Sequence, residues 1–234
     1  MRHIGSGWQF DAYASGSDVL KVPISSLRMS ARVLRSYPAL LWKPLQLGRK
    51  IERLMTERRA VLQELERRKV DPELLANFRR DRGRYVQDYV RTLEDILDEG
   101  KLDPFWLMDR YVASILRGWK NGLAETSFNF TVNHGLNRRG RVVIIDVGEL
   151  TFSREEALRL VESRFWEKAY SVAQLPGPVR DYLIRLMDRV ITADRLQREW
   201  RDAPRTALAE PAADRAPSRR KRATVTAGLP RLHV

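Results

Sequence analysis

The chain has 234 residues, 43% of them hydrophobic and 31% charged, which suits one sizeable water-soluble domain or two small ones. It has no cysteine, so disulfides and thiolate-bound metals are excluded; no apolar run reaches membrane-spanning length, and Met1 to Gly7 lacks the apolar stretch of a secretory signal, so the expected location is the cytoplasm. A formal charge of +13 points to an anionic partner, whether nucleotide, nucleic acid or acidic membrane surface; residues 203–234 carry +5 of it and the rest of the chain +8.

The first segment reads as a β meander. Gly5-Ser6-Gly7 breaks an apolar start, and then Trp8, Phe10, Ala12 and Ala14 alternate with Gln9, Asp11 and Tyr13 in a period of two. Ser15 to Asp18 is a turn, and Val19-Leu20-Lys21-Val22 is a strand stopped by Pro23. Lys21 either faces solvent from an edge strand or reaches a phosphate under the glycine turn; no Walker-type Gly-Lys-Ser/Thr follows. Residues 24–48 are basic, with Arg28, Arg32 and Arg35 at helical spacing and Ala39 to Trp42 bracketed by Pro38 and Pro44. That pattern fits an amphipathic helix that touches a membrane or partner, or an insertion folded on the body with its arginines in water.

From Gly48 to Lys69 a long helix presents Ile51, Leu54, Met55, Val61, Leu62 and Leu65 on one face. Asp71-Pro72-Glu73 caps a short helix expected to run to Arg79, and Arg84 to Val90 reads as a strand. Thr92 to Glu99 is a short acidic helix ended by Gly100; Pro104 to Trp119 is a helix with a broad apolar face. In Asn133 to Glu149, a polar turn at Asn137–Gly140 leads to the β-branched run Arg141–Ile145, and Asp146 stands at that strand's end. A carboxylate so placed, with Gly148 letting the chain turn away, suits a divalent cation, and Asn133 could set an amide oxygen beside it; the plain alternative is an edge hairpin with a turn aspartate. Ser153 and Glu156 form a capping box for a helix reaching about Tyr170, and Val179 to Trp200 reads as a single last helix. From Ala203 the composition is that of a disordered tail, with a basic cluster at Ser218–Arg222 fit for an anionic partner.

Taken in order, Gly5-Ser6-Gly7, Lys21 in Val-Leu-Lys-Val, Glu57, Gln87 to Val90, Asn133 and Asp146-Val147-Gly148 resemble the protein-kinase-like fold, and the chain is similar to bacterial kinase-like proteins of the YrbL type. The resemblance spans roughly residues 1–200. It implies an α+β fold: a small antiparallel β lobe with a long helix and a hinge-like strand over 1–100, interrupted by the insertion 24–48, and a reduced, mainly helical lobe over 101–202. It implies ATP and Mg²⁺ as cofactors. Gly5, Ser6 and Gly7 would cover the phosphates, Lys21 would pair with phosphate oxygens and with Glu57, Gln87 and Tyr89 would stand at the hinge, and Asn133 and Asp146 would hold the metal.

The chain departs from that pattern where catalysis is concerned. The family's catalytic aspartate lies five residues before its metal-binding asparagine, and Phe128 stands there; there is no His-Arg-Asp. Glu125 is the nearest upstream acid and is the candidate base, with Gly122 lending the loop freedom. Phe10 replaces the third glycine of the loop, and no Ala-Pro-Glu segment is visible. Three functions are compatible with this pattern: a phosphotransferase acting on an unknown acceptor, a pseudokinase binding module with a protein partner, or a basic nucleic-acid-associated helical protein.

Overall fold

In the computed structural model, which describes residues 1–202, the alternating N-terminal segment forms strands β1 (Arg2–Ser6), β2 (Phe10–Ser15) and β3 (Asp18–Pro23). With β4 (Arg79–Asp81) and β5 (Arg84–Asp88) they make one antiparallel sheet in the order β1-β2-β3-β5-β4. Lys21 faces Ala12 on β2 and Tyr85 on β5, so β3 is a central strand and the edge-strand alternative for this lysine does not hold. The disordered basic tail expected over 203–234 lies outside the described residues.

The insertion folds onto the body. Helix α1 (Ser26–Ser36) buries Met29 and Val33 against Ile24 and Ile51, and a 3₁₀ turn at Pro38–Trp42 leads into α2 (Pro44–Arg67). Helix α2 begins at Pro44, earlier than the apolar stripe suggested, because proline at the first turn needs no N–H partner. Buried Arg58 pins α2 to the sheet, its Nη1 donating to the carbonyls of Gln9 at 2.9 Å and Ile24 at 2.8 Å.

The helix expected from Asp71 to Arg79 is only a 3₁₀ turn, Pro72–Leu75. Ala76 and Asn77 both take left-handed backbone (φ 47° and 56°), which ends the turn and sends Phe78 onto Tyr85, ring centroids 5.6 Å apart. Thr92 and Gly100 cap α3 (Leu93–Glu99) as expected, and α4 (Pro104–Lys120) forms the centre of the helical lobe. Helix α5 (Phe130–Asn133) runs into β8 (His134–Leu136), which pairs with β6 (Arg91–Thr92) on one side and β9 (Val142–Ile144) on the other. A Cβ on Gly135 would lie 2.5 Å from the Arg91 carbonyl oxygen, so only glycine lets these strands approach.

After Glu149 the helices are shorter than periodicity suggested. Helix α6 (Arg154–Glu162) has the Ser153–Glu156 cap but stops before Arg164, whose φ of 49° turns the chain so that Trp166 enters the core beside Phe128. A 3₁₀ turn at Phe165–Lys168 and α7 (Tyr170–Ala173) come next. The last helix is two, α8 (Gly177–Val190) and α9 (Ala193–Glu199), because Thr192 accepts a hydrogen bond from the Arg195 N–H and starts a new helix. The fold is therefore α+β, a small antiparallel β lobe carrying α1 and α2 joined to a mainly helical lobe. Phe10, Val61, Leu62, Ile144, Val147 and Leu150 share one apolar cluster across the junction.

Candidate functional site

Between the lobes lies a cleft of ≈ 640 Å³, within the size range of small-molecule sites. Its roof is the end of β1 at Gly5 and Ser6 with Gly7, which opens the turn to Phe10; its back wall is Lys21 with Val19 and Ala12, its outer edge is Gln87 to Val90, and its floor is Asn133, Asp146 and Glu149. Residues far apart in sequence thus face one space, because β9 delivers Asp146 at its end and the Asn133 carbonyl accepts the N–H groups of Ile145 (2.8 Å) and Asp146 (3.2 Å). That pair of bonds fixes asparagine and aspartate side by side.

The floor contains more than the sequence suggested. Asp146 caps a single 3₁₀ turn, Val147–Glu149, accepting from the Gly148 N–H at 2.9 Å. Glu149 closes that turn and lines the same cleft as Asp146. The Glu149 carboxylate accepts from Asn133 Nδ2 at 2.6 Å and from the Ser127 hydroxyl. Burial pushes its carboxyl up; the bonds from Ser127 and Asn133 oppose that, while the Asp146 charge pushes the same way as burial, and the net shift is upward. With the Asn133 amide N–H committed to Glu149 and Ser127, its Oδ1 accepts no hydrogen bond among the described residues. No group of three His, Asp or Glu side chains fit to hold a metal occurs among the described residues. Two mutually repelling carboxylates and one free amide oxygen do suit Mg²⁺, which takes one or two carboxylates and completes its shell with water and phosphate oxygens.

Lys21 is half-buried. Burial pulls its pKa down, and the Asp146 charge partly restores it. The expected Lys21–Glu57 pair is absent. Glu57 lies on the cleft's rim but bonds Arg53 Nε at 2.6 Å, one helical turn away, because the Arg58 anchor fixes the rotation of α2 and leaves Glu57 partly in solvent. Gln87 also lines the cleft, yet its Nε2 is spent on the carbonyls of Leu75 (2.9 Å) and Ile144 (3.0 Å), holding the β lobe to β9. Tyr89 keeps its side chain exposed, with its N–H donated to the Ser17 carbonyl at 2.8 Å, so that N–H is not free for a ligand.

The roof rests close on the floor. A Cβ on Gly7 would stand 3.8 Å from Asp146 Oδ2, and Gln9 Nε2 donates to the Gly148 carbonyl at 3.0 Å. Gln9 Oε1 is buried without a partner among the described residues and would lie 2.8 Å from a Cβ on Gly148, so any larger residue there would displace the Gln9 side chain. The turn is also held from behind: Arg32 on α1 donates to the Gly7 carbonyl and pairs with Asp11 at 2.5 Å, and Ser6 donates to the same aspartate at 3.0 Å. Burial pushes the Asp11 carboxyl up, but the bonds from Arg32 and Ser6 outweigh it and keep Asp11 ionised below its ordinary range.

Glu125 is not in the cleft, which corrects its expected place as base. It lies on β7 (Ala124–Glu125), paired with β10 (Leu150–Thr151), and is buried. The apolar Leu123-Ala124 and the strand pairing draw it inward, while Gly122 serves the turn after α4. Tyr111 donates its hydroxyl to Glu125 Oε1, and Oε2 is unpartnered, 3.8 Å from His134 Nδ1. Burial raises the Glu125 carboxyl to about 8 despite the Tyr111 bond, with the Glu149 charge adding to the rise. Phe128 has a left-handed backbone (φ 53°) and its ring is buried against Trp166, so the family's base position turns into the core.

The chain matches no protein-family model and no curated protein. Among solved structures it is similar to a Toxoplasma protein described as a divergent kinase lacking the glycine-rich loop that regulates membrane ultrastructure of the parasitophorous vacuole, at 15% identity and a TM-score of 0.31. The match covers 50% of this chain and 49% of that one, so the chain spans about half the length of that relative. A likeness of that size carries no weight for activity, and the functional reading rests on the cleft itself.

Of the site residues legible in the sequence, Gly5, Ser6, Gly7, Lys21, Asn133 and Asp146 converge, although the Gly7 N–H is donated to the Phe10 carbonyl at 2.9 Å and Gly5 and Ser6 pair with β2; Glu57, Gln87 and Tyr89 line the cleft with their bonding committed elsewhere; Glu125 is outside it. Glu149, Gln9 and Ser127 escaped sequence reasoning. The three-residue spacing of Asp146 and Glu149 was the available signal for the first of these.

Proposed function

We propose that this chain is a kinase-like protein that binds Mg²⁺ and ATP in the interlobe cleft. The observation that carries the reading is the convergence of a glycine turn, a half-buried lysine, an asparagine and an aspartate on one space of small-molecule size. Lys21 meets the phosphate oxygens, since it lines the same cleft as the acidic floor and has no carboxylate within 4.0 Å among the described residues. Asn133 Oδ1 and Asp146 hold the metal, Glu149 orients Asn133 through its amide, and Mg²⁺ supplies charge neutralisation for the phosphates. Phosphates enter with the glycine turn lifted, at the cost of the Gln9–Gly148 bond.

Thermal shift with ATP and with adenosine, on wild type and Lys21→Met, tests this. Wild type is expected to be stabilised by both ligands, ATP the more, and the variant to lose ATP affinity by about ten-fold while keeping adenosine, the loss expected for one charge-assisted contact. No stabilisation of wild type, or equal loss of both ligands, would overturn the assignment.

A second reading, that the chain binds nucleotide without efficient transfer, is favoured by the burial of Phe128 and Glu125. With no carboxylate at the family's base position, transfer rests on positioning and electrostatics alone. Glu125→Gln should leave ATP turnover where wild type has it; a fall of about a hundred-fold, the lower range for a general base, would return Glu125 to that role.

A further inference from the structure

We infer that the corner between α1 and α2 is a docking surface for an anionic lipid bilayer. Every residue from Arg35 to Gln46 except Leu40 is exposed, and besides Tyr37 at 46% three large apolar side chains stand well out: Leu41 at 62%, Trp42 at 83% and Leu45 at 80%. Such a group, carried on one 3₁₀ turn and the first turn of the following helix, is the side-chain set that enters the boundary between headgroups and acyl chains. Tryptophan suits that depth, since its ring is apolar and its N–H finds polar partners at the headgroup level.

Charge selects the kind of surface. From Val19 to Ile51 there is no Asp or Glu, while Arg35, Lys43 and Arg49 stand exposed around the apolar tips. None of these three has a carboxylate within 4.0 Å among the described residues, whereas further along α2 Arg53 pairs with Glu57 at 2.6 Å and Arg68 with Glu64 at 2.6 Å. Lys50, the remaining cation nearby, is engaged by the rings of Tyr37 (4.5 Å) and Trp8 (5.1 Å), which braces the corner from below. Exposed cations without a carboxylate partner, before, between and after the apolar residues in sequence, complement a negatively charged leaflet on both counts. Nucleic acid would use the cations and leave Leu41 and Leu45 in water. The buried face of α1 is already spent on Ile24 and Ile51, so the exposed face is free for this use without unfolding the insertion.

The experiment uses the full chain with vesicles of phosphatidylcholine, with and without phosphatidylserine. Wild type is expected to sediment with the anionic vesicles and not with the neutral ones, and its tryptophan emission to shift to the blue on binding. Trp42→Phe should remove most of that shift, a readout to which residues 203–234 cannot contribute because they hold no tryptophan. The triple variant Leu41→Ser, Trp42→Ser, Leu45→Ser, at exposed positions and checked for an unchanged melting temperature, should weaken partitioning about ten-fold or more. Failure of wild type to bind anionic vesicles overturns the inference. So does binding that is unchanged in the triple variant, which would give the attraction to the basic cluster Arg219–Arg222 alone.

Discussion

Glu125→Gln is expected to abolish the loss of folding stability that wild type shows above about neutral pH. The folded carboxyl is raised by burial to about 8 from its ordinary 4.5, and His134 beside it is lowered by burial to about 3 from 6.5. Between 4.5 and 6.5 the folded chain keeps both groups neutral while the unfolded chain ionises both. Stability then rises with pH through His134 and falls through Glu125, and the two slopes cancel into a plateau. From 6.5 to 8, of these two groups only Glu125 contributes: the folded state holds a proton that the unfolded state has released. Stability falls by about 1.4 kcal/mol per pH unit there, about 2 kcal/mol over the window. Below 4.5 only His134 contributes, and stability falls as pH drops toward 3.

Glutamine keeps an oxygen to accept from Tyr111 but cannot ionise, so the variant should lose this fall in stability above 6.5. Its acid limb, now unopposed, should begin near 6.5 instead of 4.5. Urea unfolding midpoints across pH measure both limbs. An alkaline slope that survives in Glu125→Gln would mean that Glu125 is already ionised in the fold.

Asp146→Asn should cancel Mg²⁺-dependent stabilisation by ATP while leaving the apo protein folded. Among the described residues the only side-chain bond that Asp146 accepts is from the Gly148 N–H, and an asparagine oxygen can take it. The substitution removes the charge that a divalent cation requires. At a hundred times the dissociation constant a ligand adds about 2.7 kcal/mol of stability, so the Mg²⁺-dependent part of that figure should vanish from the melting curve. It also removes the like charge that raises Glu149, so that carboxyl should titrate lower in the variant. An undiminished Mg²⁺-dependent shift would place the metal elsewhere.

Much of the fold was legible because local signals agreed with one another. Thr92 and Gly100 mark the ends of α3, Pro104 opens α4, and the alternation read from Trp8 makes a strand from Phe10 on, Trp8 and Gln9 lying in the bend before it. The errors came where tertiary packing overrode a periodic stripe. Trp166 enters the core only if the helix stops at Arg164, and Thr192 divides what hydrophobic spacing read as one helix. In the site, the backbone-fixed partners Asn133 and Asp146 were readable, since a hairpin of given length sets their separation. Side-chain choices were not. Glu57 took Arg53 because Arg58 fixes the helix's rotation, and Glu125 went inward because β7 pairs with β10. Neither the rotation of α2 nor the pairing of two-residue strands leaves a periodic trace. The insertion, read as either a partner-touching helix or a folded appendage, is folded on one face and exposed at its corner.

The central claim is that the cleft binds nucleotide through metal held at Asn133 and Asp146. Calorimetric titration of ATP into the wild-type chain, once with Mg²⁺ and once with a chelator, tests it most directly. The account predicts saturable one-to-one binding with Mg²⁺, weakened about ten-fold or more by the chelator, as expected when a charge-neutralising ion is removed from between carboxylates and phosphates. Absence of binding under both conditions, or one affinity regardless of Mg²⁺, would contradict it.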